Sequence, residues 1–274
     1  SAGPHLHLEL RRTETGEYID PMPYFKHLLK DSKAPVGSLI GIYPIQGKGV
    51  VNGSSHKKLL AIGNLKQPIH AWGEIYTGIS AKDYMDGTSN FYGVHSVTLY
   101  VDSVQVFNST TDKVLPDENR MINGFTDYEE LTRTRRLIMR SYKLPGNQLR
   151  LLHTNENRGA VTIDEERDYH FRYVLEDNFG NRRTYQFIVK GKRQDIPEYK
   201  PEANEMLYWN RTNVIQKPGM ELVVPRYYVY EDVPLRTDMR GDSSRIAFDY
   251  ILDAGRTPIH SYCDLSIGLR HMPV

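Results

Sequence analysis

Apolar and polar residues alternate along much of the chain, and this alternation predicts β-strands. In an extended strand successive side chains point to opposite faces, so an alternating segment has one apolar and one polar face. Two predicted hairpins show the pattern most clearly. Residues 94–107 turn at 102–103, and residues 168–189 turn at 177–181. Both hairpins indicate antiparallel sheet.

Further short strands are predicted by apolar runs that lie between turn residues. They cover residues 39–43, 58–62, 69–76, 222–224, 227–230, 246–250 and 265–269.

Helical patterns occupy two short stretches. Asp20-Pro21 has the form of a helix start, and apolar residues at helical spacing continue to about residue 30. Thr126-Asp127-Tyr128-Glu129 has the form of a capping box, which predicts a second short helix before residue 144. The chain is therefore expected to be mainly β with a short helical insertion.

Breaks in these patterns divide the chain. Residues 31–35 end the first helix, and the polar segment 192–204 contains two prolines typical of a linker. We expect an immunoglobulin-like β-sandwich at 36–192 and a second β-rich domain at 205–274. The first 30 residues form a separate segment.

Composition restricts the possible functions. Of 274 residues, 39% are hydrophobic and 25% charged, which is typical of globular proteins. A net charge of +1 gives no argument for nucleic-acid binding. Arg133, Arg135 and Arg136 follow acidic residues and indicate a charge-balanced surface. No apolar run is long enough for a membrane span. The single cysteine, Cys263, excludes an intrachain disulfide and is expected to be a buried structural thiol.

The start of the chain carries the most specific chemistry. Alternation over residues 5–10 places His5, His7 and Glu9 on one face, with three leucines on the other. Two imidazoles on one face suit a metal ligand beside a residue that handles the metal-bound water. The pattern alone is also compatible with two polar residues on the wet face of an amphipathic strand.

The wider segment resembles a known family. Gly-Pro-His-Leu-His-Leu-Glu-Leu-Arg at 3–11, followed by a polar turn and Tyr-Ile-Asp-Pro-Met-Pro-Tyr at 18–24, is similar to the closing motif of lysostaphin/LytM-type zinc metallopeptidases. The resemblance implies that His7 is a zinc ligand and His5 the catalytic histidine. It also implies that residues 1–30 are the closing strand and helix of a peptidase β-sheet acting on peptidoglycan peptides.

The resemblance leaves the metal site incomplete. In that family two further ligands come from an upstream His-x-x-x-Asp element, yet only four residues precede His5. A catalytic zinc needs about three protein ligands and an open position. We therefore expect the carboxyl-terminal part of a larger envelope protein, periplasmic or secreted. Two alternatives stay open: a split enzyme completed by another chain, and a non-catalytic envelope module that binds a protein or glycan.

Three other groups of residues are candidate sites. His260 and Asp264 have the spacing of a metal-ligand pair, although such a pair is expected by chance. Asp83, Asp86 and Asn90 could provide oxygen ligands to Ca²⁺ or simply form turns. Aromatic residues could form a platform for sugars or fill a core. The aromatic residues of this group are Trp72, Tyr76, Tyr84, Phe91 and Tyr92.

Overall fold

The structure is a computed structural model that describes residues 7–241 and 246–270. His5 therefore lies outside the described residues. Strands hold 44% of the residues and helices 10%, which confirms the prediction of a mainly β fold. Among the described residues, no helix has the length and apolar character needed to cross a membrane.

Residues 7–241 and 246–270 contain twenty strands. They are β1 (Leu10–Arg11), β2 (Tyr18–Ile19), β3 (Val36–Val51), β4 (Lys58–Ala61), β5 (His70–Tyr84), β6 (Phe91–Tyr92), β7 (Ser96–Val101), β8 (Val104–Thr110), β9 (Lys113–Val114), β10 (Met139–Arg140), β11 (Leu152–Thr154), β12 (Val161–Ile163), β13 (Asp168–Glu176), β14 (Arg182–Gly191), β15 (Glu205–Leu207), β16 (Asn213–Lys217), β17 (Met220–Val224), β18 (Val233–Arg240), β19 (Asp249–Asp253) and β20 (Asp264–Ile267).

Helices are few and short. The α-helices are α1 (Met22–Phe25), α2 (Ile122–Phe125) and α3 (Tyr128–Thr134), and the 3₁₀ helices are Lys26–Leu28, Ile62–Asn64 and Pro116–Met121.

One large sheet forms the centre of the molecule. Its main path runs β11-β8-β7-β13-β14-β5-β3-β4, with β6, β10 and β12 added along β5. Both predicted hairpins are confirmed as β7–β8 and β13–β14. Asp102 and Ser103 adopt positive φ angles at the first turn, as a tight hairpin turn between right-twisted strands requires. Strand β5 continues to Tyr84, beyond its predicted end at residue 76.

The core of this sheet is built from its long strands. On β13 buried and partly exposed residues alternate strictly, so one face packs inward. Tyr173 is fully buried, and its hydroxyl is hydrogen-bonded to Thr77 at 2.7 Å and to Ser141 at 2.8 Å. Burying the ring contributes apolar surface, while the two partners satisfy its polar end.

The N-cap of helix α3 lies one residue later in the sequence than predicted. Asp127, not Thr126, is the N-cap, and its Oδ1 accepts a 3.1 Å hydrogen bond from the backbone N–H of Glu130. Glu130 forms ion pairs with Arg133 and Arg136, two of the three arginines of the basic cluster. The first helix also differs slightly, since α1 starts after Pro21 while Oδ1 of Asp20 accepts the Met22 N–H.

The first segment joins the large sheet through a small one. Strands β1, β2 and β9 form a three-stranded antiparallel sheet in that order. Strand β9 follows β8 of the large sheet in the chain, and the backbone N–H of Asp20 donates to Asp112 O at 2.8 Å. The β1–β2 hairpin is therefore connected by backbone hydrogen bonds to the part of the chain that contains the large sheet. This part, residues 36–192, is called the β-region below.

The C-terminal region has its own strands and its own apolar cluster. Strands β15, β18 and β19 form one sheet and β16, β17 and β20 another. Residues 227–230, predicted as a strand, form turns and bends instead, because Tyr227 has a φ of 68° that an extended strand does not allow. Cys263 is only partly buried, at the margin of this cluster.

Candidate functional site

His7 lies in the exposed segment that precedes strand β1, and its ring has one polar partner among the described residues. Its Nε2 is 3.3 Å from Oε2 of Glu9, two residues along the chain on the same face. The other Glu9 oxygen accepts a 2.8 Å hydrogen bond from Arg11. The hydrogen bond with His7, and then that with Arg11, lowers the pKa of Glu9. The His7 side chain is 71% exposed, so its ring is open to further contacts.

Strand β1 is an edge strand. Among the described residues it pairs with β2 alone, through Leu10↔Ile19 and Arg11↔Tyr18. The Arg11 guanidinium also stacks on the Tyr18 ring, 4.3 Å from its centroid. The second backbone edge of β1 is therefore available to another strand.

The predicted apolar face of this strand is wrong at Leu8. Leu8 is 59% exposed, while Leu10 is half-buried. The reason is that pairing begins only at Leu10, so no strand of the described part of the chain pairs with residues 7–9. An exposed leucine beside an unpaired edge is a surface that another sheet element could cover.

A cavity opens beside the His7 face. It has a volume of about 370 Å³ and is lined by Glu9, by Tyr18 of β2, and by apolar residues of the β-region. Those apolar residues are Val114, Ile122, Leu149 and Leu151. The face that carries His7 therefore borders a cleft wide enough for a peptide side chain.

An ionic cluster fixes the hairpin to the β-region. Arg150 donates from Nη2 to Glu17 at 2.7 Å and from Nε to Glu118 at 2.7 Å. Both carboxylates are buried. Burial alone would raise the pKa of Glu118, but its hydrogen bonds with Arg150 and the backbone hold it below its usual value. Arg150 thus connects the β1–β2 turn to the Pro116–Met121 helix.

The described residues do not complete a zinc site at His7. Glu9 is the only other metal-ligand side chain that contacts it among residues 7–241 and 246–270. Zinc needs at least one further protein ligand. His260 does not supply it, since its Nδ1 lies 3.1 Å from the Tyr230 hydroxyl, and Asp264 is exposed on β20. The resemblance alone assigns zinc to His7.

A second cleft is built around three stacked tyrosines. The Tyr76 ring lies between Tyr43, at 4.8 Å, and Tyr142, at 4.6 Å between centroids. Arg140 borders the same cleft, and its buried Nε has no hydrogen-bond partner among the described residues. The cleft has a volume of about 480 Å³. Stacked rings beside a guanidinium whose Nε has no partner suit a sugar or a carboxylate-bearing peptide.

Asp127 holds one wall of this cleft. It is 1% exposed and accepts hydrogen bonds from the Tyr43 hydroxyl at 3.0 Å and from Nζ of Lys57 at 2.8 Å. Burial alone would raise its pKa, but the Lys57 ammonium and the capping N–H hold the pKa below its usual value. Asp127 therefore stays ionised and fixes Tyr43.

The predicted aromatic platform does not form as one surface. Trp72 and Tyr84 lie near opposite ends of β5, and only Tyr76 joins the stacked cleft. Phe91 and Tyr92 pair with the end of β5, where Lys82 lies over the Phe91 ring. The predicted residues are separated because β5 is much longer than its sequence pattern indicates.

The predicted calcium loop is also divided. Asp83 is buried at the end of β5, whereas Asp86 accepts a hydrogen bond from Ser32 and Asn90 is exposed. Asp83 instead meets Asp31 and Asp177, which sequence reasoning missed. Each of these two lies just outside a strand, but nothing local indicates that distant strand ends meet.

Comparison with known proteins identifies one part of the chain. Residues 204–274 match the family of Zu5-like domains. The match covers 71 of the 274 residues, counted from its bounds, and so describes the C-terminal region alone. No curated protein and no solved structure matches the chain.

Proposed function

We propose that this chain contributes the closing strand of a LytM-type zinc metallopeptidase acting on peptidoglycan peptides in the bacterial cell envelope. His7 is the one zinc ligand that this strand provides, and His5 acts beside it. The remaining ligands come from a preceding or separate part of the protein. The observation that carries the proposal is the unpaired outer edge of β1, next to the exposed His7 face.

The edge supports the proposal because a closing strand needs a neighbour. A strand with free backbone donors and acceptors adds readily to a sheet. The exposed Leu8 would gain a core from the same neighbour. The peptidase sheet would then extend outward from β1, and His7 and His5 would face the same side as its other ligands.

In this proposal the large sheet holds the β1–β2 hairpin in position. Backbone pairing of β2 with β9 and the Arg150 cluster fix the hairpin to the large sheet. Glu9, the hydrogen-bond partner of His7, lines the neighbouring cleft. The β-region therefore borders the path by which a peptide would reach the metal.

Zinc analysis and wall digestion test this function. The isolated chain is expected to bind less than one zinc ion, and the chain extended by the residues encoded before Ser1 to bind one. In the extended protein His7→Ala should abolish peptide release from peptidoglycan. His27→Ala is the matched control, because His27 is also exposed in the first segment. Undiminished release by the His7 variant would remove the assignment.

A non-catalytic binding function is the second candidate, and the tyrosine cleft favours it. Tyr142 at the end of the stack and Arg140 could hold a glycan or a peptide carboxylate. Sedimentation with purified peptidoglycan measures this directly. If the cleft binds the wall, Tyr142→Ala should weaken binding at least about fivefold, since one stacked ring contributes roughly 1 kcal/mol. Tyr100→Ala, outside the cleft, should leave binding unchanged.

A further inference from the structure

Three aspartates from distant parts of the chain meet at one end of the large sheet. Asp31 precedes β3, Asp83 is near the end of β5, and Asp177 begins the β13–β14 turn. One carboxylate oxygen from each lies within 4.8 Å of the other two. Among the described residues this is the one group of three or more metal-ligand side chains.

Backbone pairing explains why they meet. Strands β3 and β5 are antiparallel with Val36 opposite Lys82, so the start of one lies at the end of the other. The β13–β14 turn reaches the same place, because the Asn181 amide donates to Asp31 O at 3.2 Å. Strand pairing and the hydrogen bond from Asn181 therefore bring the three carboxylates together.

Two of the three carboxylates have an unpartnered oxygen, whereas both oxygens of Asp177 accept hydrogen bonds from Phe179 and Asn181. Asp83 is 8% exposed and Asp177 2% exposed. Oδ1 of Asp83 and Oδ2 of Asp31 are buried and have no hydrogen-bond partner. None of the ion pairs among the described residues involves any of the three aspartates. Buried carboxylates normally have a cation or hydrogen-bond donors beside them.

The raised pKa of Asp83 also indicates that a cation is needed beside the three carboxylates. Burial, and then the charges of Asp177 and Asp31, raise the pKa of Asp83 to about 6. Three negative groups at this separation repel one another, and a bound cation would remove the repulsion.

We propose that Asp31, Asp83 and Asp177 form a Ca²⁺ site. All the donors are oxygen atoms, which Ca²⁺ prefers and which disfavour zinc. An ion at the typical Ca²⁺–oxygen distance of about 2.3–2.6 Å reaches oxygens with this spacing after small inward shifts, whereas Mg²⁺ requires shorter bonds of about 2.0–2.1 Å.

An adjoining cavity provides the remaining coordination. It has a volume of about 420 Å³, and Asp31, Asp83 and Asn178 line it. Three carboxylates leave several of the six to eight Ca²⁺ positions open, and waters in this cavity would fill them. The Asn178 side chain is a further oxygen donor at the rim.

The site would fasten the segment between the first helix and the large sheet. Asp31 belongs to residues 29–35, which have no regular secondary structure. An ion bound to Asp31, Asp83 and Asp177 would hold this segment against β5 and the β13–β14 turn. This role does not depend on the peptidase proposal, because none of its residues belongs to the His7 face.

Calcium titration of the whole chain tests the site. After removal of metal with a chelator, calorimetry is expected to give one Ca²⁺ per chain, and the unfolding midpoint should rise with Ca²⁺ concentration. Asp83→Asn keeps the side-chain shape and should weaken Ca²⁺ binding at least about tenfold. Asp86→Asn is the control, since Asp86 is three residues away and outside the triad, and should change affinity less than about twofold.

The following binding results would refute the proposed Ca²⁺ site. It is excluded if Ca²⁺ at about 5 mM gives neither binding heat nor a shift of the unfolding midpoint, or if Asp83→Asn binds as tightly as the unmodified chain. Tighter binding of Mg²⁺ than of Ca²⁺ would refute the choice of ion. If Asp83→Asn does not fold, Asp31→Asn provides the same comparison, because Asp31 is less buried and lies outside the strands.

Discussion

The Tyr43 hydroxyl donates a 3.0 Å hydrogen bond to Oδ2 of Asp127, across 84 positions of sequence. The same oxygen accepts from Lys57, while the other Asp127 oxygen caps helix α3. One buried carboxylate therefore connects strand β3, the residue before β4 and the helical insertion. The tyrosine cleft depends on this connection.

Replacing this carboxylate should destabilise the protein. Asp127→Ala would leave the buried Tyr43 hydroxyl without its acceptor, would remove the nearest carboxylate from Lys57, and would remove a helix cap. We expect a loss of about 3 kcal/mol in the free energy of unfolding, measured by urea denaturation. Asp127→Asn keeps an acceptor for the cap and should lose clearly less. A loss below about 1 kcal/mol for the alanine variant would contradict this account.

Arg150 should control how firmly the β1–β2 hairpin is held. Arg150→Ala would leave the buried carboxylate of Glu118 without its guanidinium and would leave Glu17 with Arg12 alone, so the ionic connection between the hairpin and Glu118 would be lost. Amide hydrogen exchange over residues 10–19 is expected to become at least about tenfold faster, as about 1.4 kcal/mol of lost local stability requires.

A matched arginine provides the control for that variant. Arg167 also contacts two carboxylates, those of Asp102 and Glu165, but these lie away from the first segment. Arg167→Ala should leave exchange over residues 10–19 unchanged. Equal exchange in the two variants would show that the Arg150 cluster does not hold the hairpin.

The contribution of His260 to the stability of the fold should decrease in acid. The Tyr230 hydroxyl donates to Arg120 O, so Nδ1 of His260 is left to donate to the tyrosine oxygen. Burial, and then the positive charge of Arg120, lower the pKa of His260 below its usual value of 6.5, while Asp117 acts weakly in the opposite direction. A lowered histidine pKa means that the folded state favours the neutral ring.

The lowered pKa of His260 determines how stability changes with pH. The contribution of His260 is fully present above pH 6.5 and is lost as pH falls through the lowered pKa. The difference in unfolding midpoint between the unmodified chain and His260→Gln should therefore shrink from pH 7 to about pH 5. His27→Gln, at an exposed histidine, should show no such trend. A difference that grows in acid would contradict the assignment.

The alternation of apolar and polar residues predicted the strands correctly where residues close in sequence determine the structure. The hairpins β7–β8 and β13–β14 were predicted because their turns are short and their strands are adjacent in sequence. The predicted strand at 227–230 was wrong, because Tyr227 takes a positive φ, Val229 packs into the C-terminal cluster, and Tyr230 packs against Gly124 and Gly146. Tyrosine and valine favour a strand in isolation, but tertiary packing overrides that preference.

The sequence by itself determined that the fold is mainly β, and it identified the His-x-His segment as the most specific chemical feature. Alternation and turn residues act between near neighbours, so they can be read along the chain. Tertiary structure alone decided that Leu8 is exposed at a sheet edge, that Arg150 joins Glu17 to Glu118, and that Asp31, Asp83 and Asp177 meet. Those contacts depend on which distant strands pair, and strand pairing is a property of the whole folded chain.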